Sequence, residues 1–168
     1  MMQRLQALVL AGSLGLASCG PGAMPPSFRH VLSGSHAPGL AQIVGEQGQV
    51  GIPQGAPVKV TVVDFWASWC AGCQESIPAL DALYRDKREA GLRVFGVSVD
   101  ERSDQAYAAA AALHATFPIV VDLDSRLASS YRIAQIPLTF VLDSQGTVRW
   151  VGRDPREVRR AVEVVLAE

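Results

Sequence analysis

Two cysteines carry the reactive chemistry of this chain. Cys70 and Cys73 are separated only by Ala71 and Gly72 in the stretch VVDFWASWCAGCQESIP, residues 62–78. A pair at this spacing can clip a metal, staple a loop or cycle between dithiol and disulfide. A zinc site needs about four ligands. The only further soft ligands are His30, His36 and His114, and none forms a second pair with ligand spacing. A staple across so short a loop removes little chain entropy. A β-branched run precedes the pair and a helical pattern follows it, and Cys-x-x-Cys at a strand-to-helix junction points to redox use.

The junction matters electrostatically. The first N–H groups of a helix have no intrahelical partners, and that end of the helix is positive. A thiolate at Cys70 is therefore stabilised, and its pKa is expected below the free value of ~8.5. Cys73, one turn on and more buried, is placed to resolve a mixed disulfide formed by Cys70. Ala71 and Gly72 bring no charge, imidazole or proline ring. A reducing to middling potential is expected, away from the strongly oxidising extreme of roughly −120 mV.

The elements that must position the pair follow from periodicity. VKVTVVDFWA is apolar on both faces, as a central buried strand requires. QESIPALDALYRDKREAG carries apolar residues at helical spacing, with Gly91 as its C-cap. LRVFGVSVD is a second buried strand. SDQAYAAAAALHAT is a helix with a Ser cap, FPIVVD a strand and SRLASSYRI a short helix. PLTFVLD and TVRWVG flank a Gly-containing turn. DPREVRRAVEVVLAE is a closing helix with Asp154 as N-cap and Pro155 at its first position. LAQIVGEQGQVGI, residues 40–52, is expected to be a hairpin ahead of all these. The order β-β-β-α-β-α-β-α-β-β-α gives an α/β fold, a mixed central sheet covered by helices on both faces.

The bulk properties set the setting. The chain has 168 residues, 49% of them hydrophobic, with net charge −1 and no basic stripe. Nucleic acid is excluded as a partner on that ground. Residues 1–18 have the layout of a secretory signal: Arg4, then an apolar run from Leu5 to Leu16, then small residues. Leu16-Ala17-Ser18-Cys19 resembles the bacterial lipobox, which implies cleavage before Cys19, lipidation of its sulfur and anchoring to a bilayer. Residues 19–35 hold GPGAMPPS and LSGS and are expected to form a flexible tether. The folded domain is expected over residues 36–168. Export would place the pair where disulfides persist.

With DFWASWCAGC and Pro78 in view, the chain resembles the thioredoxin superfamily. HAPGL, the segment 97–122 and IPLTFVLDSQGTV resemble its membrane-tethered TlpA/ResA-like branch, which is allied to the peroxiredoxins. The resemblance implies a thioredoxin-like fold and dithiol–disulfide exchange on protein substrates, with no cofactor beyond the two sulfurs. It implies a cis peptide bond at Ile136-Pro137, with Trp69, Ile136 and Pro137 edging the substrate groove. It makes Asp64 a buried proton acceptor for Cys73. It marks Glu101 as an acidic residue of the insert, with a solvated loop charge as the alternative. The chain departs from the pattern at Gln135 and Leu138, so specificity does not carry over. A reductase of this kind needs a membrane electron donor, because no Gly-rich dinucleotide fingerprint is present. A monomer facing the periplasm or cell exterior is expected. A copper carrier using both thiolates and a thiol peroxidase are the competing readings. Trp66 is expected in the core, Trp150 in a strand without special role, and His114 at a helix end.

Overall fold

The computed structural model describes residues 22–39 and 57–168. The leader, Cys19 and the hairpin expected over residues 40–52 lie outside them. The described elements are β1 (Val60–Trp66), α1 (Ala71–Lys87), β2 (Leu92–Ser98), α2 (Ser103–Ala112), β3 (Ile119–Val121), α3 (Arg126–Ser130), β4 (Leu138–Leu142), β5 (Val148–Gly152) and α4 (Pro155–Leu166). From β1 onward this is the order expected from periodicity. No helix among the described residues is long and apolar enough to cross a membrane.

The sheet runs β3-β2-β1-β4-β5. β1, β2 and β3 are parallel neighbours, while β4 is antiparallel to β1 and to β5. Every residue of β1 is buried, because helices and loops cover both sheet faces. The strand alternation divides its side chains. Val60, Val62 and Trp66 pack with Cys73 and Ile77 of α1 and with Val158, Ala161 and Val162 of α4. Val63 and Phe65 face the other way, onto Phe95, Phe140, Leu127 of α3 and Tyr131 just after it. Phe65, Tyr131 and Phe140 form an aromatic cluster there, with centroids 4.9–6.0 Å apart. Asp64 is in phase with Val62 and Trp66, so it points into the α1/α4 face.

Local signals set the helix ends. After α1 a single 3-10 turn leads to Gly91, whose φ of 104° is the left-handed conformation that ends the helix. Asp154 caps α4 by accepting the Arg156 N–H at 2.9 Å, with Pro155 at the first position. His114 follows α2 with φ 57°, a helix-end residue as expected. Ser103 differs: it is the first helical residue, and Arg102 stands at the cap without a side-chain bond. Asp122, four residues before α3, supplies its cap, accepting from Leu127 N at 3.0 Å and Ala128 N at 2.7 Å.

The tether expected over residues 19–35 is corrected from Pro26 onward. Phe28 N–H donates to Val151 O at 2.8 Å, Gly34 N–H to Val148 O at 2.9 Å, and Val148 N–H to Ser35 O at 2.9 Å. Ser27 Oγ accepts from Val151 N at 2.9 Å. Trp150, expected to have no special role, donates its indole Nε1–H to Pro26 O at 2.8 Å. His30 meets the Phe140 ring edge-on at 5.0 Å. The segment covers the open edge of β5, which would otherwise leave unpaired backbone groups. Its polar composition concealed this, because the bonds are made by backbone rather than by apolar side chains.

Shortening the chain to begin at His36 removes these bonds. At ~1 kcal/mol net per hydrogen bond, that variant is expected to be less stable than one beginning at Gly22 by at least about 2 kcal/mol. Urea midpoints of the two chains check this, and equal midpoints would return the segment to a passive tether.

Candidate active site

β1 ends at Trp66, and a tight turn leads into α1, with Cys70 N–H donating to Ala67 O at 3.2 Å. Cys70 is the N-cap of α1, and its Sγ accepts the Cys73 N–H at 3.2 Å. The sulfur therefore occupies the place a Ser or Asp oxygen takes in an ordinary cap. Cys70 and Cys73 are joined as a disulfide, with Cα atoms 5.2 Å apart. Cys70 is 8% exposed and Cys73 fully buried, so an incoming group reaches Cys70 first.

Ile136-Pro137 is cis, as expected. Pro137 faces the pair: a Cβ placed on Gly72 would lie 3.4 Å from Pro137 Cδ. Trp69 is 68% exposed. It rims a groove of about 470 Å³ whose far wall is the segment 133–136 and whose floor is Val99 and Ala128. The structure thus brings Cys70, Cys73, Trp69, Ile136 and Pro137 to one end of the sheet. Gln135 lies on the groove wall and is held by Arg153 Nη2 at 2.8 Å.

Four aspartates are buried: Asp64, Asp81, Asp100 and Asp122. Three have donors on both oxygens. Asp81 accepts from Thr116 N at 2.6 Å and Thr116 Oγ1 at 2.7 Å and pairs with Arg85 at 2.9 Å. Asp122 caps α3. Asp100 accepts from Ser68 N at 3.0 Å, Ser68 Oγ at 2.7 Å and Ser98 Oγ at 2.7 Å. Ser68 is two residues before Cys70, so Asp100 pins the loop that presents Trp69 and Cys70. Nothing in the sequence marks Asp100, whereas the family resemblance marks its neighbour Glu101. Glu101 is exposed in the bend before α2, with no ion pair or hydrogen bond among the described residues. The solvated-charge alternative is the one its environment fits. The Ser-x-Cys step gives no hint of Asp100, whose bonds span 32 positions.

Asp64 is the exception among the four. Its Oδ1 accepts one bond, from Thr139 Oγ1 at 2.6 Å, and Oδ2 has no partner among the described residues. Thr139 is its register partner on β4. Burial pushes the Asp64 pKa up to about 7, against a smaller opposing effect of the Thr139 bond. A carboxyl poised near neutrality can take and give a proton under ordinary conditions.

Residues 34–151 match the AhpC/TSA family. The chain is 31% identical over 124 residues to thioredoxin-like protein YneN of Bacillus subtilis, covering 71% of this chain and 70% of the relative. It is 28% identical to thiol-disulfide oxidoreductase ResA of Geobacillus kaustophilus, over 72% and 69% of the two chains. It is 29% identical to thiol:disulfide interchange protein HelX of Rhodobacter capsulatus, over 86% and 81%. The crystal structure of the thioredoxin domain of a thiol-disulfide oxidoreductase from Bacteroides vulgatus superposes with TM-score 0.60 at 24% identity, over 64% of this chain and 79% of that one. The fold is thioredoxin-like, and the activity these findings define is thiol–disulfide exchange. The chain belongs to the AhpC/TSA family and is a thiol–disulfide oxidoreductase within it.

The raised pKa of Asp64 has a consequence for stability. A carboxyl that is harder to ionise when folded contributes stability that is fully present below its unfolded pKa of 3.8 and is lost as pH rises through about 7. The full difference amounts to about 4 kcal/mol. In the oxidised protein Asp64→Asn is expected to remove this slope, so that its stability gain over wild type grows between pH 5 and pH 8. Denaturant melts at the two pH values check it, and a pH-independent difference would contradict the titration of Asp64.

Proposed function

We propose that this chain is an exported, lipid-anchored reductase of protein disulfides. The observation that carries the reading is Cys70 at the cap of α1, flanked only by Ala71 and Gly72, with the partly unsatisfied Asp64 on the face that buries Cys73. Helix α1 stabilises the Cys70 thiolate by its free N–H groups, and no side chain between the sulfurs adds to that. Such a thiolate is moderately, not extremely, stabilised, which favours the dithiol as an electron donor.

In the forward step Cys70 thiolate attacks one sulfur of a substrate disulfide. The substrate's S–S bond breaks, a mixed disulfide forms, and the first substrate thiolate leaves. Asp64 then takes the proton of the Cys73 thiol. Cys73 attacks Cys70 sulfur, the bond from Cys70 to substrate breaks, and the second substrate thiolate leaves with the electron pair. The substrate gains two electrons and the enzyme ends as the Cys70–Cys73 disulfide. Trp69, Ile136 and Pro137 hold the extended substrate backbone beside Cys70. A membrane dithiol donor returns the two electrons. Glu101 takes no part.

The midpoint potential of the pair in a glutathione or dithiothreitol buffer tests the direction. A value near about −270 mV is expected, and one near −120 mV would make the protein a disulfide donor instead. Anchoring is tested separately. Cells fed a labelled fatty acid are expected to label the wild-type chain and not Cys19→Ser, and equal labelling would remove Cys19 as the lipid site.

A further inference from the structure

The segment ahead of the domain is pinned, and the place where it is pinned sets how an anchor would hold the molecule. It runs antiparallel to β5, with Phe28 beside Val151 and Gly34 beside Val148. Its earlier residues therefore lie toward Gly152. Gly152 is the register partner of Thr139, two residues after cis Pro137. That is the end of the sheet at which Cys70 sits. Pro26 is fixed there as well: its carbonyl accepts the Trp150 indole N–H at 2.8 Å, and the Trp150 ring lies against Gly152. Met24, two residues earlier, is partly buried against the same core. Cys19 stands five residues before Met24. Fully extended, that leash reaches no further than about 18 Å. A lipid on Cys19 would hold the domain close, and by its reactive end.

The two ends of the domain also differ in surface. Phe28 is 46% exposed, Trp69 68% and Leu123 61%. All three lie at the reactive end: Leu123 follows β3, whose Val121 is level with Ser98 at the end of β2. Among the described residues, the opposite end exposes Lys59, Ser144 and Gln145 at the start of β1 and the β4–β5 turn. Tryptophan is enriched where a membrane meets water. Trp69 is the exposed tryptophan of the three, since Trp66 and Trp150 are buried.

We propose that the short leash turns the reactive end toward the bilayer, with Phe28, Trp69 and Leu123 facing lipid, so that the cysteines this protein exchanges with are those presented at the membrane surface. The inference rests on the reading of Cys19 as the lipid site. A soluble disulfide substrate has to enter between domain and bilayer to reach Cys70. A dithiol or disulfide held in or on the membrane is already there. The segment on β5 thus does more than cover a sheet edge: it fixes the height and the tilt at which Cys70 is offered.

The test uses the full chain purified from the membranes of the expressing cells and returned to phosphatidylcholine vesicles that carry dansyl-labelled phosphatidylethanolamine. Energy transfer from tryptophan to the dansyl headgroups reports distance from the bilayer. The loss of transfer in Trp69→Phe gives the share of Trp69. Gln145→Trp, added to Trp69→Phe, gives the share of the opposite end. Transfer from Trp69 is expected to exceed that from position 145 several-fold. A flexible Gly-Ser spacer of about 20 residues between Cys19 and Gly22, with a typical span of about 25 Å, is expected to make the two shares alike. Equal shares without the spacer, or a difference that survives it, would overturn the inference and leave the exposed apolar residues to a protein partner or a second copy. Mass spectrometry of the N-terminal peptide of the same preparation separates the two readings. A peptide without lipid on Cys19 fails the anchoring and the orientation together. A lipidated peptide with equal shares fails the orientation alone.

Discussion

The structure turns on the point where a fully buried parallel strand ends and a helix begins. β1 ends at Trp66, and the first N–H groups of α1 must find acceptors. The chain meets that need with a sulfur: Cys70 Sγ caps the helix by accepting the Cys73 N–H. The cap and the reactive atom are therefore one group. Whatever stabilises a thiolate there also stabilises the helix end, and oxidation to the disulfide closes the same turn. The neighbouring elements hold that turn still. Asp100 grips Ser68, Pro137 stands over Gly72, and Trp66 anchors the strand end in a core where Gly96 leaves room for its indole.

The buried aspartates separate scaffold from chemistry by counting donors. An ionised carboxyl removed from water is tolerated when its oxygens are filled by N–H and O–H groups. Asp81, Asp100 and Asp122 meet that condition; Asp81 and Asp100 each tie two distant segments together, and Asp122 caps the helix that follows it. Asp64 has one neutral donor and an open oxygen. The fold tolerates it because burial raises its pKa and the group can hold a proton. Burial alone does not distinguish these four residues; the hydrogen-bond inventory does.

Much of this was legible in the sequence because it rests on local rules. Strand and helix order follows from apolar spacing, Asp154-Pro155 announces a helix start, and Cys-x-x-Cys with Trp69 and Pro137 marks the reactive end. What was not legible depends on contacts between remote positions. The Pro26–Ala37 segment looks like a linker because its partners are backbone atoms of β5, 124 positions away for Ser27 and Val151. Asp100 was overlooked for the same reason. Glu101 is singled out by the family resemblance, and in the structure it is an exposed loop residue. Arg153 lies in an exposed-looking GRDPRE stretch, and only the fold shows that its Nε points inward.

These remote contacts converge. The edge segment brings Phe28 beneath Arg153, Arg153 holds Gln135, and Gln135 lies on the wall of the Trp69 groove. A departure from the family pattern at Gln135 is therefore not an isolated surface change. The residue presents an amide that an arginine fixes, and that arginine is itself seated on the edge segment. Arg153 thus lies beside Asp64, bonds a residue of the groove wall and stacks on the edge segment, although it does not itself line the groove. Loosening the edge segment should then be felt at the groove, even though no residue of that segment lines it.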